Sequence, residues 1–306
     1  MVKKYDVHQI IIHVELFSSR NHSISPITQL LFTLRYYATG AFLMAIGDII
    51  GVSKSSASKI VKKVSLALAK LSPRFIKMPQ TEEEILKEKQ AFYERARLPR
   101  IIGSIDCTHV KIQSPGGARA EMFRNRKGYF SINVQTVAST SLKIMDIVAR
   151  WPGSAHDQTV FDNSAIKRRL HNREFGESIL IADSGYANTL HVITPLIQPA
   201  NDIQNVFNEA VTRTRSPVER QYGVWKRRFP ILAVGIRVKL ATALNIIVAT
   251  AVLQNIAIEE NEDEPVDDPE MNVNVNEECM VEATIEPNYV NARDFLLSEY
   301  IPQLLH

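Results

Sequence analysis

Four acidic residues stand where carboxylate chemistry could be done. Ile101-Ile102-Gly103-Ser104-Ile105 is a short apolar run ending in Asp106, and Ser178-Ile179-Leu180-Ile181-Ala182 ends in Asp183. Such runs read as buried strands, whose last residues emerge at the sheet edge where ligands bind in α/β proteins. Carboxylates there can hold Mg²⁺ or Mn²⁺, because hard divalent cations take oxygen ligands. An aspartate closing a strand is equally a turn former, so both roles stay open for each. Glu219 is the third acid. Ser216-Pro217-Val218-Glu219 has the form of a helix start, with Ser at the N-cap, Pro at N1 and Glu at N3, so this carboxylate either caps the helix or faces a metal. Steps of three and four residues carry its face through Tyr222, Gly223, Lys226 and Arg227, beside the cluster Lys226-Arg227-Arg228. Asp157 follows a predicted strand over 143–150 and reads first as the cap of a helix over 158–170. His109 and His156 have no CxxC or HxxxH partner, which argues against zinc. No G-x-x-x-x-G-K-[ST] occurs, which argues against a P-loop phosphoryl transferase.

The surrounding pattern says what must position these groups. Residues 99–258 alternate short apolar runs with helical stretches, the mark of an α/β fold. Residues 25–98 read as helices. Ser25-Pro26 opens one that ends at Gly40, and a second runs over 42–50. Gly51-Val52-Ser53 then makes a turn into a third helix from Lys54, with Ser53 as N-cap. In the third helix Ala57, Ile60, Val61, Val64 and Leu68 fall on one face. Lys54, Ser55, Ser56, Lys59, Lys62 and Lys63 occupy the outward side. This is the plan of a helix-turn-helix, whose second helix enters the DNA major groove; an amphipathic helix with a solvated lysine face has the same pattern.

Charge sorts the chain further. The net charge of +3 averages two unlike parts. Residues 259–286 contain twelve acids and no Lys or Arg, so the first 258 residues hold 35 basic and 19 acidic side chains. A surplus of this kind suits a polyanion partner, since neutralising phosphates releases counterions. Residues 259–288 read as an acidic linker without structure of its own, and residues 289–306 as a C-terminal helix; residues 1–24 form a poorly patterned lead-in. The acidic linker is expected to mimic DNA and cover the basic surface. Two cysteines, Cys107 and Cys279, make no disulfide framework and favour a reducing compartment. No secretory signal opens the sequence. The apolar stretch 240–258 has the length of a membrane span, but Asn245, Gln254 and Asn255 within it favour a buried core helix and no membrane.

Taken in order, five motifs resemble the Harbinger-type (PIF/Harbinger) DDE transposases and the animal nucleases derived from them. They are Gly103-Ser104-Ile105-Asp106-Cys107-Thr108-His109-Val110, the stretch from Asn125-Arg126-Lys127-Gly128-Tyr129 to Asn133-Val134-Gln135, Trp151-Pro152-Gly153-Ser154-Ala155-His156-Asp157, Ala182-Asp183-Ser184-Gly185-Tyr186, and Ser216-Pro217-Val218-Glu219-Arg220. The resemblance spans roughly residues 20–258. It implies an RNase H-like DDE catalytic core preceded by the helical helix-turn-helix domain, with Asp106, Asp183 and Glu219 as the catalytic metal triad and Asp157 as a further ligand. It implies two divalent ions, one activating water and one stabilising the leaving 3′-oxygen during phosphodiester hydrolysis. Arg126, Lys127, Lys226, Arg227 and Arg228 are then candidate DNA-backbone contacts, positioning rather than reading the duplex. The family also implies a nuclear setting, with the cytoplasm open, and a separate Myb-like or SANT-like DNA-binding partner; it allows a homo-oligomer. Two features depart from the family pattern: Ala138-Ser139-Thr140 stands where many relatives have an Asp after Asn-x-Gln, and Cys107 where many have a small residue. The rival class is a domesticated DNA-binding or scaffold protein that keeps the fold without the nuclease activity.

Overall fold

The computed structural model describes residues 24–266 and 292–304. The lead-in up to residue 23 and the acidic linker from residue 267 to 288 lie outside the described residues. Helix α1 (Pro26–Thr39) starts and stops where its residues direct. The Ser25 hydroxyl accepts the Thr28 N–H at 3.2 Å, Pro26 occupies the first turn, and Gly40 closes the helix in the left-handed region at φ +60°. Helix α2 (Leu43–Ile49) leads through Gly51, at φ +67°, to α3 (Lys54–Ala69), capped by the Ser53 hydroxyl on the Ser56 N–H. The expected inward set of α3, Ala57, Ile60, Val61, Val64 and Leu68, is buried. A short turn, α4 (Ser72–Phe75), precedes α5 (Glu82–Ala96), which opens on a Thr81/Glu84 capping box.

Five strands form one mixed sheet in the order β3-β2-β1-β4-β5. β1 (Ile101–Lys111), β2 (Ser131–Ala138) and β3 (Ile144–Pro152) make an antiparallel meander, while β4 (Ile179–Ile181) and β5 (Val192–Ile193) run parallel to β1. β1 is therefore central, and its near-continuous burial from Ile101 to Asp106 reflects cover on both faces. It does not end at Asp106: it continues five residues further, because β2 pairs with it as far as Lys111. Between β3 and β4 the expected single helix over 158–170 is two helices, α6 (Asp157–Asp162) and α7 (Ala165–His171), because Ser164 caps a new start by accepting the Lys167 N–H at 3.2 Å.

Two long helices and a short one between them close the fold. α8 (Asp202–Arg228) crosses the sheet, a short α9 (Ile231–Val234) turns the chain, and α10 (Leu240–Glu259) packs against α3 and β3. Tyr37, Val61 and Leu68 from the N-terminal helices belong to the same apolar core as Val134, Trp225 and Ile247. The helical region and the sheet thus share packing across the 98/99 boundary. A C-terminal helical run at 292–304 docks Ala292, Leu296 and Ile301 against Phe92, Ile101 and Phe207.

α10 is long and apolar enough to cross a membrane, yet its polar residues are built into the core. Asn255 is 1% exposed and makes three bonds: its amide donates to the Phe75 and Ile144 carbonyls at 2.8 Å each, and its carbonyl accepts the Ile144 N–H at 2.8 Å. Removing such a group leaves several buried partners unpaired. Asn255→Ala should lower the thermal midpoint by roughly 5–10 °C, read by calorimetry; a wild-type midpoint would show that water replaces the clamp.

Candidate active site

The sheet register brings the two aspartates together. Pairing between β1 and β4 ends at Ser104 opposite Ile181, and Asp106 and Asp183 each lie two residues beyond that pair. They share a face because strand side chains alternate. Both are 7% exposed. Asp106 accepts the Cys107 N–H on Oδ1 at 2.7 Å, and Asp183 accepts the Gly185 N–H on Oδ1 at 3.0 Å. Burial, and then the charge of Asp183, hold the Asp106 carboxyl well above the ordinary carboxylate range. Burial, and then the charge of Asp157, push Asp183 up to about 6. Arg215 opposes the rise at both.

Glu219 arrives on α8, whose local structure differs from expectation. No helix starts at Ser216; α8 begins at Asp202, with Asn201 capping it through the Gln204 N–H, and runs unbroken through Pro217. Pro217 has no N–H for the Arg213 carbonyl four residues back. The Ser216 hydroxyl donates to that carbonyl instead, at 2.9 Å. With the Ser216 hydroxyl turned to the helix backbone, Glu219 is no capping residue. Its Oε1 accepts Arg215 Nη2 at 2.5 Å, while Arg215 Nη1 donates to Asp106 Oδ2 at 3.2 Å. One guanidinium therefore joins two of the three predicted acids. Among the described residues no three acidic, His or Cys side chains converge as a ready metal cage.

Asp157 is the first residue of α6 rather than its cap, a position held by His156. Its Oδ1 accepts the Asn133 amide from β2 at 2.8 Å, which ties the fourth acid to the sheet. The turn before it needs Gly153, since a Cβ there would stand 2.7 Å from the Phe123 carbonyl oxygen.

Side chains that sequence reasoning left without a role hold α8 in place. The Tyr222 hydroxyl, fully buried, donates to the Asp106 carbonyl at 2.5 Å. Thr136 Oγ1 lies 2.7 Å from Gln221 Oε1 and 3.0 Å from the Tyr222 hydroxyl, and Gln221 donates to the Leu142 and Lys143 carbonyls. Lys226, expected on the outer basic cluster, is turned inward and 5% exposed; its ammonium donates to Thr108 Oγ1 at 2.6 Å and to the His109 carbonyl. It joins helix to strand, because its position lies one turn beyond Tyr222 on the buried face. Arg227 and Arg228 are half-buried. Arg215 had a legible signal, its i, i+4 spacing to Glu219. Asn133 had a weaker one, an amide inside a strand.

The other predicted basic residues are accessible. Arg126 and Lys127 are exposed, and Arg126 Nη2 lies 3.0 Å from His156 Nδ1, next to Asp157. On α3, Lys54, Ser55, Lys59 and Lys62 are exposed, and Ser56 and Lys63 half-buried. The first described residues of the acidic segment already reach basic partners: Glu262 pairs with Arg228 at 3.3 Å and Glu264 with Arg220 at 2.7 Å.

A family described as DDE superfamily endonuclease matches residues 105–255, a span that contains all four acids. The protein named "Putative nuclease HARBI1" in Bos taurus is 33% identical over 80% of this chain and 71% of its own length. Its Xenopus laevis counterpart is 28% identical over 91% of this chain and 81% of its own length. "Protein ALP1-like" of Arabidopsis thaliana is 24% identical over 70% of this chain and 56% of its own length. No solved structure matches the chain. The mixed five-stranded sheet fits a DDE endonuclease fold.

The folded-state value of Asp183, about 6, lies above its ordinary 3.8, so its ionisation costs stability above pH 6. That cost fades as pH falls through 6 towards 4. Asp183→Asn should therefore raise the thermal midpoint of metal-free protein by about 2–5 °C at neutral pH, with the gain shrinking by about pH 4.5. A gain that stays constant with pH would show that charge is not its source.

Proposed function

Because the chain belongs to the DDE superfamily of endonucleases, in the branch derived from Harbinger transposases, we propose that it is a divalent-metal-dependent DNA endonuclease that hydrolyses phosphodiester bonds. The observation that carries this reading is the juxtaposition of Asp106 and Asp183 at the end of the β1–β4 pair, with Glu219 of α8 joined to Asp106 through Arg215. The donor set is all oxygen, which suits Mg²⁺ or Mn²⁺. Asp106, Asp183 and Glu219 would hold the ions, two in number, and Asp157 would complete the set. When bound, such cations supply Lewis acidity to the scissile phosphate and a more acidic water.

The chain's own residues supply position. Tyr222 fixes the Asp106 backbone, Asn133 fixes Asp157, and Lys226 keeps α8 against β1. Arg126 and Lys127 are exposed, and Arg126 contacts His156, the sequence neighbour of Asp157; cations so placed would hold the DNA backbone. α3, with its exposed lysines and hydroxyls after the Gly51 turn, serves as a recognition helix in this reading. The same reading includes a nuclear location and a Myb-like or SANT-like partner that adds sequence recognition, since the basic clusters of this chain are short.

The test is nicking of supercoiled plasmid with Mg²⁺ or Mn²⁺. Cleavage should need metal, stop with EDTA, and fall by about a hundredfold or more in Asp106→Ala while salt-sensitive DNA binding persists. Metal-independent nicking, or wild-type cleavage by that variant, would remove the triad from the reaction. Binding without cleavage, with or without a partner protein, would favour the domesticated binder.

The acidic segment gives a second expected outcome. Exposed ion pairs such as Glu264–Arg220 are weak and screened by salt, so DNA phosphates can displace them. Neutralising Glu262, Asp263 and Glu264 to their amides should tighten DNA binding several-fold at about 50 mM salt and little at about 300 mM. Unchanged affinity at low salt would show that these acids do not cover the DNA path.

A further inference from the structure

Arg215 has no part in the family motifs quoted above, yet its guanidinium has the most consequential contacts in the site. Its side chain is 16% exposed and donates to Asp106 Oδ2 at 3.2 Å and to Glu219 Oε1 at 2.5 Å. Asp106 has only one further oxygen, Oδ1, and that accepts the Cys107 N–H. Oδ2 is thus the Asp106 oxygen that Arg215 holds, while the same guanidinium holds Glu219. A single guanidinium therefore bridges two of the acids that the proposed function assigns to the metal.

We propose that Arg215 is a built-in counter-ion that stabilises the metal-free site and is displaced when a divalent cation binds between Asp106 and Glu219. The inference rests on the reading of those two acids as metal ligands. Its physical content is a competition: a guanidinium and a divalent cation cannot share Asp106 Oδ2 and Glu219 Oε1 without like-charge repulsion in a partly buried site. Metal affinity is then set below the intrinsic affinity of the carboxylates by the cost of breaking two charge-assisted hydrogen bonds. Arg215 acts through the carboxylates, so it is a positioning residue. In its place a neutral side chain leaves the acids mutually repelling in the metal-free protein and unopposed in their attraction for a cation.

The test uses Mn²⁺ alone, titrated into the full chain by calorimetry and by electron paramagnetic resonance of the free ion, with Asp183→Asn as reference. Arg215→Gln should bind Mn²⁺ roughly tenfold more tightly than wild type. Its thermal midpoint should fall without metal and recover at saturating Mn²⁺. A merely structural Arg215 would lower both midpoints alike and leave affinity unchanged or weaker, which would overturn the inference. Should Arg215→Gln fail to fold, Arg215→Lys keeps a charge but loses the planar fork, and should bind Mn²⁺ roughly threefold more tightly; wild-type or weaker affinity there also overturns it. Wild-type Mn²⁺ binding that Asp183→Asn weakens but the Arg215 variants leave unchanged would sink the counter-ion and spare the metal site. No saturable Mn²⁺ binding in any variant would sink both.

Discussion

Carboxylates buried side by side repel one another, and a fold that gathers them must resist its own electrostatics. Two unit charges about 5 Å apart cost about 3 kcal/mol at the effective dielectric of a protein site. Here the acids cannot relax apart cheaply. Asp106 lies within the central strand, paired on through Lys111, with its carbonyl held by Tyr222. Asp183 follows a three-residue strand locked between β1 and β5, and its carboxylate is already folded back on Gly185. The packing that fixes them is tight: a Cβ on Gly103, three residues before Asp106, would stand 2.6 Å from Val137. Rigid backbone under repelling side chains is the arrangement expected of a site that awaits positive charge, and it explains why stability and chemistry pull in opposite directions there.

The third acid comes from a different kind of element, and α8 has to be held as firmly as the strands. Its buried face carries Val218, Tyr222 and Trp225 into the core shared with the N-terminal helices. Three polar residues on that face tie it to the sheet: Gln221 to Thr136 on β2 and to the β2–β3 turn, Tyr222 to β1, and Lys226 to β1 beyond Asp106. Lys226 illustrates the trade. Burying an ammonium is expensive, and it is tolerated because its donors meet Thr108 and the His109 carbonyl. Pro217 is accepted one turn before Tyr222 because Ser216 repairs the carbonyl it orphans. The helix enters the site continuous, so Arg215 and Glu219 fall one turn apart on one face, where Arg215 links Glu219 to Asp106 of β1.

Much of this was legible in the residues. The caps at Ser25 and Ser53, the inward set of α3, the β-branched runs before Asp106 and Asp183, and the core character of α10 all follow from local rules that tertiary packing did not overrule. The failures share a cause. Ser216-Pro217 mimics a helix start because capping and proline repair use the same hydroxyl and the same ring; only the preceding helix, running from Asp202, decides between them. The apolar run before Asp106 predicts a strand end there because it stops, whereas pairing with β2 carries the strand onward through polar residues. Lys226 has the look of a basic cluster with its neighbours, though periodicity alone puts it on the face of Tyr222. Long-range partners such as Asn133 for Asp157 leave almost no trace in local pattern.

The same charge therefore behaves differently with depth. Arg215, at 16% exposure, is held in low dielectric, where losing its partners is costly and a competitor must carry more charge than it does. Arg220, at 61% exposure, meets Glu264 in water, where any phosphate at adequate concentration is an equal partner. Both arginines stand on α8 within a few residues of Glu219, so in the proposed reading one helix offers an inner cation that would answer to metal and an outer one that would answer to polyanion. If both were surface pairs, salt would govern the whole site; if both were buried, DNA could not reach it. The gradient of exposure along that helix separates the two requirements, and it does so with the positive charge that the acidic residues after 258 leave uneven along the chain.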